Sequence, residues 1–538
     1  MPSASKAQTK RSSKVLASAA LAAVLALTTG CGSNGSSSSS ANKTLVANTT
    51  FVYKTLDPGR TYEQTGYVAL HSLYSTLMTF NGDDINTPVP ELAASVEASP
   101  DNTAYTFKLR DNATFSDGSP VTSADVVFSL TRLQNLKGSS ATFFAGLNFK
   151  APDDKTVVVT ADKPAPNIPV LMAMPASSII NSKVAKEKGA TDSPEAATKD
   201  TAQAFLDTTS AGSGPYVLER NDPGQEMVLV ANDKYWGTKP DFKRVSLRNV
   251  DIQNQKLTLS RSKSPEIALD LTGNLLKDLP ESLKVSQKKD NIFFAWSNMD
   301  PSVSPVSSNP EFVAAFKSAV DYKGLADLMG PGASTLGGLV ADVYPGSLPA
   351  ESGPQQNIEA AKKHLAAAGL SNPTVPFVYP AITYRGVDLG TIATKVQGDV
   401  EKAGIKLELT PLPLTAFLEQ YRGGKAVMGM TPHALSYPRA ENLVTVLGPG
   451  GINAKRVGWL EANASQEAVK ASKAVMSATS DEDKTSAIEA WQKVMATDSP
   501  FIPLGENSGA IVSTPQVSEA NYTSAGWIVD LADIKAAG

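Results

Sequence analysis

The sequence predicts an α/β protein built from more than one domain, and three observations lead there. At 538 residues the chain is too long for one hydrophobic core, so two or three domains are expected. Residues 99–132, SPDNTAYTFKLRDNATFSDGSPVTSADVVFSLTR, read as strand, turn and helix in succession. Farther on, helical spacing over 391–403 gives way at Gly404 to a strand over 404–409, so the two kinds of element keep alternating.

Within 99–132, Tyr105, Phe107 and Leu109 alternate with Thr106, Lys108 and Arg110, the period of a strand with one buried face. Asp117-Gly118 marks a tight turn, because glycine reaches positive φ without a Cβ clash. Thr122, with Asp125 three residues on, reads as a capping box, and Val126, Val127 and Leu130 stripe the helix it opens. This stretch resembles the signature of the family 5 solute-binding proteins of bacterial ABC importers, the oligopeptide-, dipeptide- and nickel-binding group. Its Tyr-x-Phe-x-Leu-Arg, Phe-Ser-Asp-Gly and Ala-Asp-Val-Val-Phe-Ser elements fall here at 105–110, 115–118 and 124–129. The resemblance implies a two-lobed periplasmic-binding-protein-like fold of type II, in its large three-domain variant. Each lobe would have a mixed sheet with flanking helices, and a hinge would close the lobes over an interlobe ligand cleft.

The first forty residues read as a processing segment. Lys6, Lys10, Arg11 and Lys14 precede an apolar run over 15–27, which is shorter than the roughly 20 residues a bilayer span requires. Small residues then lead to Cys31, the single cysteine of the chain. The pattern resembles a lipoprotein signal over 1–30, with Cys31 as the lipid attachment site, although Thr28 stands where such motifs prefer leucine. Residues 31–43 are a Ser/Gly-rich tether that cannot bury a core. One cysteine excludes an intrachain disulfide and any multi-cysteine metal site. The next longest apolar run, 168–180, is interrupted by Pro169 and Pro175.

Taken in order, residues 44–90 open the first lobe. A short strand over 45–47 precedes Leu56-Asp57-Pro58, and Val68, Leu70, His71, Leu73, Tyr74 and Leu77 fall at helical spacing. Residues 91–205 hold the signature, a strand over 155–160 and a proline-rich stretch at 163–166; the resemblance implies a small extra domain on this lobe. Polar, alanine-rich 186–205 reads as a surface excursion. Residues 206–289 continue lobe 1 with Gly212-Ser213-Gly214-Pro215-Tyr216 and Asn232-Asp233-Lys234-Tyr235-Trp236-Gly237, both matching family landmarks. Lobe 2 spans 290–505, with a strand over 292–297, one helix over 312–327 and another over 358–369; residues 506–538 return to lobe 1.

Composition and motifs narrow the function. With 49 basic and 53 acidic residues the net charge is −4, against the basic excess of a nucleic-acid binder. The chain has no HExxH, GxxxxGK[ST], GxSxG or CxxC, and His71, His364 and His433 are isolated, so the sequence predicts no enzyme, no cofactor and no metal. His364 follows two lysines and reads as solvated, and His71 as structural.

The resemblance supplies the candidate ligand residues. Tyr62, Glu63 and Gln64 occupy a loop that faces the cleft in relatives; Trp296 stands on the apolar strand opening lobe 2, and Asn298 follows that strand where relatives often carry Phe-Asn. In 429–442, GMTPHALSYPRAEN, peptide-binding relatives carry an aromatic residue, then an aspartate for the peptide ammonium beside a tyrosine, with strand-like backbone bonds. Here His433 takes the aromatic place, with Ala434 beside it, Ser436 the aspartate place, Tyr437 keeps the tyrosine, and Arg439 replaces an acid. Either Glu63 or Glu441 supplies the missing charge, or the ligand is blocked, modified or anionic and meets Arg439 and His433. The function implied is capture of an extracellular solute, foremost a peptide, by a monomer lipid-anchored on the extracytoplasmic face of the cell membrane. Permease and ATPase subunits would be its partners. Alternatives are a nickel chelate, sugar or other modified small molecule as ligand, a secreted hydrolase, or a sensor lipoprotein.

Overall fold

The alternating segment at 104–109 forms a strand, Ala104–Leu109, whose Tyr105, Phe107 and Leu109 are the buried face. The structure is a computed structural model that describes residues 44–82, 84–435 and 437–538; Cys31, the signal and the tether lie outside the described residues. At the turn that follows, Gly118 takes φ 91°, the left-handed region that glycine tolerates. Helix Ser123–Leu136 then opens with the expected capping box: the Thr122 side chain accepts from Asp125 N–H, while the Asp125 carboxylate accepts from Thr122 N–H at 3.0 Å. Ala104–Leu109 joins Ala93–Ala98, Leu147–Asp153 and Thr156–Ala161 in a four-stranded antiparallel sheet separate from the main one.

The main sheet has ten strands and is mixed. Its order is Lys406–Leu412, Thr374–Pro380, Met428–Ala434, Lys284–Ser297, Phe501–Ser513, Glu266–Ala268, Thr44–Thr49, Arg244–Asn249, Glu226–Ala231 and Tyr216–Asp222. A sheet for each lobe was expected; instead one sheet runs through both. The link is the antiparallel pair Lys284–Ser297 and Phe501–Ser513, long enough to border Glu266–Ala268 at one end and Met428–Ala434 at the other. Their register breaks twice. Asp290 is the extra residue between the pairs Lys289–Ser508 and Asn291–Asn507, and Leu504 the extra residue on the opposite strand. A bulge bends the strand and re-aims the side chain of its unpaired residue.

Glycine explains one landmark by contact. A Cβ on Gly212 would sit 2.1 Å from the Leu73 carbonyl oxygen and one on Gly214 2.6 Å from the Leu73 carbonyl carbon, so the turn before Tyr216 packs directly on the end of helix Gln64–Leu73.

Two expectations are corrected. The helix over 312–327 is two helices, Pro310–Ala319 and Tyr322–Met329, because Val320 is extended and the Asp321 carboxylate caps Gly324 N–H at 2.9 Å. Residues 186–205 are not merely a surface excursion. Ala190, Ala196 and Ala202 are buried, and Asp200 enters a buried ion cluster with Arg132 and Asp57. Arg132 bonds both carboxylates, at 2.6 Å to Asp57 and 2.7 Å to Asp200, and Arg60 adds a second cation to each. Burial acts to raise the Asp200 pKa, yet the hydrogen bonds and charge of Arg132 hold it below the ordinary value. The Leu-Asp-Pro motif, the end of the signature helix and the alanine-rich segment are thus fastened at one point. Asp200→Asn should cost about 3–5 kcal/mol at neutral pH, the scale for breaking a buried pair. A lowered carboxylate pKa stabilises above the unfolded value, about 3.9, and its contribution is lost as pH falls through the folded value, so the deficit should begin to shrink once pH drops below about 3.9. Urea melts across that range measure both effects.

Candidate functional site

The bulge that interrupts Lys284–Ser297 turns Asp290 into a cavity of about 260 Å³. Tyr62, Gln64 and Tyr67 line it from in and just before helix Gln64–Leu73, Tyr384, Arg385 and Ala434 from the middle of the chain, and Tyr522 to Ile528 from the C-terminal segment. A narrow annex continues from it, walled by Phe80, Met174, Tyr437 and Trp527.

Arg385 is the counter-charge. It sits with Gly386 in the two-residue turn between Thr383–Tyr384 and Val387–Asp388, at φ 46° and 72°. Two successive positive φ values are those of a type I′ hairpin turn, which suits Asn-Gly far better than Arg-Gly. An arginine there is conformationally unfavourable, and such outliers cluster at functional sites. Packing over-determines the turn. A Cβ on Gly386 would lie 2.1 Å from the Thr272 carbonyl oxygen, and Asn507 Nδ2 donates to the Arg385 carbonyl at 3.2 Å.

The guanidinium pairs with Asp290 Oδ1, the Tyr522 hydroxyl donates to Asp290 Oδ2 at 2.7 Å, and Arg385 Nη2 reaches that hydroxyl at 3.4 Å. Burial alone would lower the Arg385 pKa, but the Asp290 charge holds it well above the ordinary value; burial pushes the Tyr522 phenol well up. Both stay protonated at any ordinary pH. The cavity therefore presents a carboxylate, a fixed cation and a phenol donor within one hydrogen-bonded group. Aromatic rings close the annex: His71 stacks on Trp527 at 4.0 Å and bonds Asp530 through Nε2 at 3.2 Å.

The expected site residues divide. Tyr62, Gln64 and Ala434 line the cavity and Tyr437 lines the annex. Tyr62 and Tyr437 both face Phe143, with ring centroids 6.5 and 6.0 Å away. Glu63 instead precedes the helix, its carboxylate accepting from Tyr62 N–H at 3.2 Å. Trp296 belongs to the core: it is fully buried against Phe417 and Tyr421. Asn298, also buried, spends its amide on the Gly424 and Ala426 carbonyls and accepts from Asp300 N–H. His433 packs on Phe294, and burial together with the Arg456 charge lowers its pKa to about 4, so it is neutral near pH 7. Arg439 lies in a separate depression, 3.7 Å from Asp481, beside the buried Glu441–Lys484 pair. Ser436 lies outside the described residues.

Sequence reasoning missed Asp290, Arg385 and Tyr522. Gly386 between Thr383-Tyr384 and Val387 is a weak turn signal, and nothing in it marks Arg385. Nothing local marks Asp290 or Tyr522, which are 232 residues apart.

The double variant Asp290→Asn/Arg385→Asn tests the pair, since asparagine tolerates the left-handed turn. Each single change should lower stability in urea, Arg385→Asn the more because it strands a buried carboxylate. The double variant should recover a coupling energy of about 0.5–3 kcal/mol.

Comparison with known proteins bears on this geometry. A family model described as bacterial extracellular solute-binding proteins, family 5 Middle, matches residues 87–454. The probable D,D-dipeptide-binding periplasmic protein DdpA of Escherichia coli (strain K12) is 34% identical over 280 residues, covering 51% of this chain and 52% of that protein. In that match the chain spans about half the length of the curated relative. Heme-binding protein A of Haemophilus influenzae is 23% identical over 541 residues, covering 94% of this chain and 96% of that protein. Among solved structures, the periplasmic binding protein DppA from Helicobacter pylori in complex with peptide STSA superposes with a TM-score of 0.71 at 19% identity. That match covers 92% of this chain and 98% of the other, and it shows a shared fold.

Proposed function

Because the chain belongs to the bacterial extracellular solute-binding proteins of family 5, we propose that it captures a short peptide and delivers it to the permease of an ABC importer. The observation that carries this reading is the Asp290–Arg385–Tyr522 group, set in a cavity walled by both lobes. A peptide has an ammonium at one end and a carboxylate at the other. Asp290 has lone pairs left for the ammonium, and Arg385 has five N–H donors, enough to serve Asp290 and a ligand carboxylate together. The annex against Trp527 and Phe80 takes an apolar side chain. At 260 Å³ the cavity is below the roughly 300–1,000 Å³ of drug-sized pockets, which favours a ligand of two residues. The name of the Escherichia coli relative, a D,D-dipeptide binder, supports the same size class.

This reading differs from a blocked or anionic ligand held by Arg439 and His433, because the acid available to an ammonium is Asp290. A ligand touching both lobes favours the closed arrangement by its differential affinity for it. In this reading the chain catalyses no reaction and works as a monomer. A lipid on Cys31 and the 31–43 tether hold it at the extracytoplasmic face of the membrane.

Calorimetric titration of alanyl-phenylalanine and its N-acetyl form tests the site. The free dipeptide should bind about tenfold to a hundredfold tighter, the worth of one hydrogen bond to a charged group. Asp290→Asn should abolish that preference. Equal binding of the two forms would show the ammonium is not recognised. For the anchor, Cys31→Ser should move the protein from the membrane fraction to the soluble one. Retention of the variant in membranes counts against lipid attachment at that residue.

A further inference from the structure

A second cavity, of about 470 Å³, has all its lining residues between 314 and 503, so it shares nothing with the N- and C-terminal segments that wall the cleft. Its size is within the roughly 300–1,000 Å³ of ligand pockets. The walls are largely apolar, with Leu339, Met495, Phe501 and Pro503 among them, while the exposed Gln355 and Thr497 stand at its rim.

One wall residue does not belong in an apolar cavity. Lys317, on helix Pro310–Ala319, is buried, and its Nζ donates to the Ala496 and Ser499 carbonyls at 3.0 and 2.8 Å. An ammonium has three donors, so one is left over. Among the described residues Lys317 makes no ion pair, and a buried charge with no counter-ion in contact is costly. The acid felt most strongly at Nζ is Asp498, whose carboxylate instead accepts from Ser465 and Thr497. His364, also on the wall, is occupied with Glu311 through Nδ1 at 2.6 Å. The cavity thus holds a lysine ammonium with a donor to spare and apolar surface around it.

We propose that this cavity is a second ligand site, separate from the cleft, that takes a monocarboxylate with an apolar chain, its carboxylate meeting Lys317. A dianion would lack a second free cation, and an uncharged apolar molecule would leave the spare donor unmet.

Octanoate and octan-1-ol, which share a chain and differ in charge, are the probes, titrated into the purified protein by calorimetry. Octanoate should bind about tenfold tighter or more. Because burial lowers the Lys317 pKa to about 8, the preference should fade as pH rises through that value. Lys317→Met should erase the preference. Ala314→Trp, at a half-buried wall position, should block both probes and serves if Lys317→Met fails to fold. The methyl resonance of Met495 should shift on octanoate binding to the native protein. Equal affinities, no binding of either probe, a preference that survives Lys317→Met, or saturable binding without a Met495 shift would each overturn the proposal.

Discussion

The antiparallel pair Lys284–Ser297 and Phe501–Ser513 is the constraint on which the rest depends. A chain of this length folded around one sheet needs a backbone that joins the two ends of that sheet, and here it is a strand pair in the middle of the ten strands. A regular ladder across that junction would leave no side chain free to change direction. The two opposed bulges, at Asp290 and Leu504, break it within a few residues. The irregularity that lets the sheet pass from one lobe to the other is also what turns a carboxylate into the cavity.

Two buried ion clusters serve different ends. At Arg132, Asp57 and Asp200 the side chains are at most 2% exposed, and with Arg60 as the second cation every charge is matched inside the cluster, which suits a fastening among three distant segments. At Arg385 and Asp290 the side chains are 16% and 6% exposed and line a cavity, so each keeps hydrogen-bonding capacity that a ligand can use. Burial makes both clusters costly to break. Only the second is placed where an outside group can join it.

Lys317 presents a third arrangement, a cation held by carbonyls alone beside a large apolar cavity. Its position next to Ser499, at the entry to Phe501–Ser513, ties helix Pro310–Ala319 to the strand that crosses between the lobes.

Local chemistry alone determined a good deal. The period-two face of Tyr105, Phe107 and Leu109, the Thr122–Asp125 capping box and the Gly118 turn each depend on residues within a few positions, and all three are present in the structure. The α/β class follows from such segments. The site was legible only in part: of the residues the resemblance names, Tyr62, Gln64 and Ala434 line the cavity beside Asp290 and Tyr437 lines its annex. The resemblance names Trp296 and Asn298, but Trp296 packs on Phe417 and Tyr421 and Asn298 bonds the Gly424 and Ala426 carbonyls, contacts between segments more than a hundred residues apart. The single 312–327 helix failed because Asp321 caps a new helix rather than continuing the old one. Asp290, Arg385 and Tyr522 meet through a bulge, a strained hairpin turn and a C-terminal segment far apart in sequence. Hydrophobic period and capping act over one or two turns of chain, whereas the pairing of buried charges is decided by which distant segments the sheet brings together, and that only the tertiary structure settled.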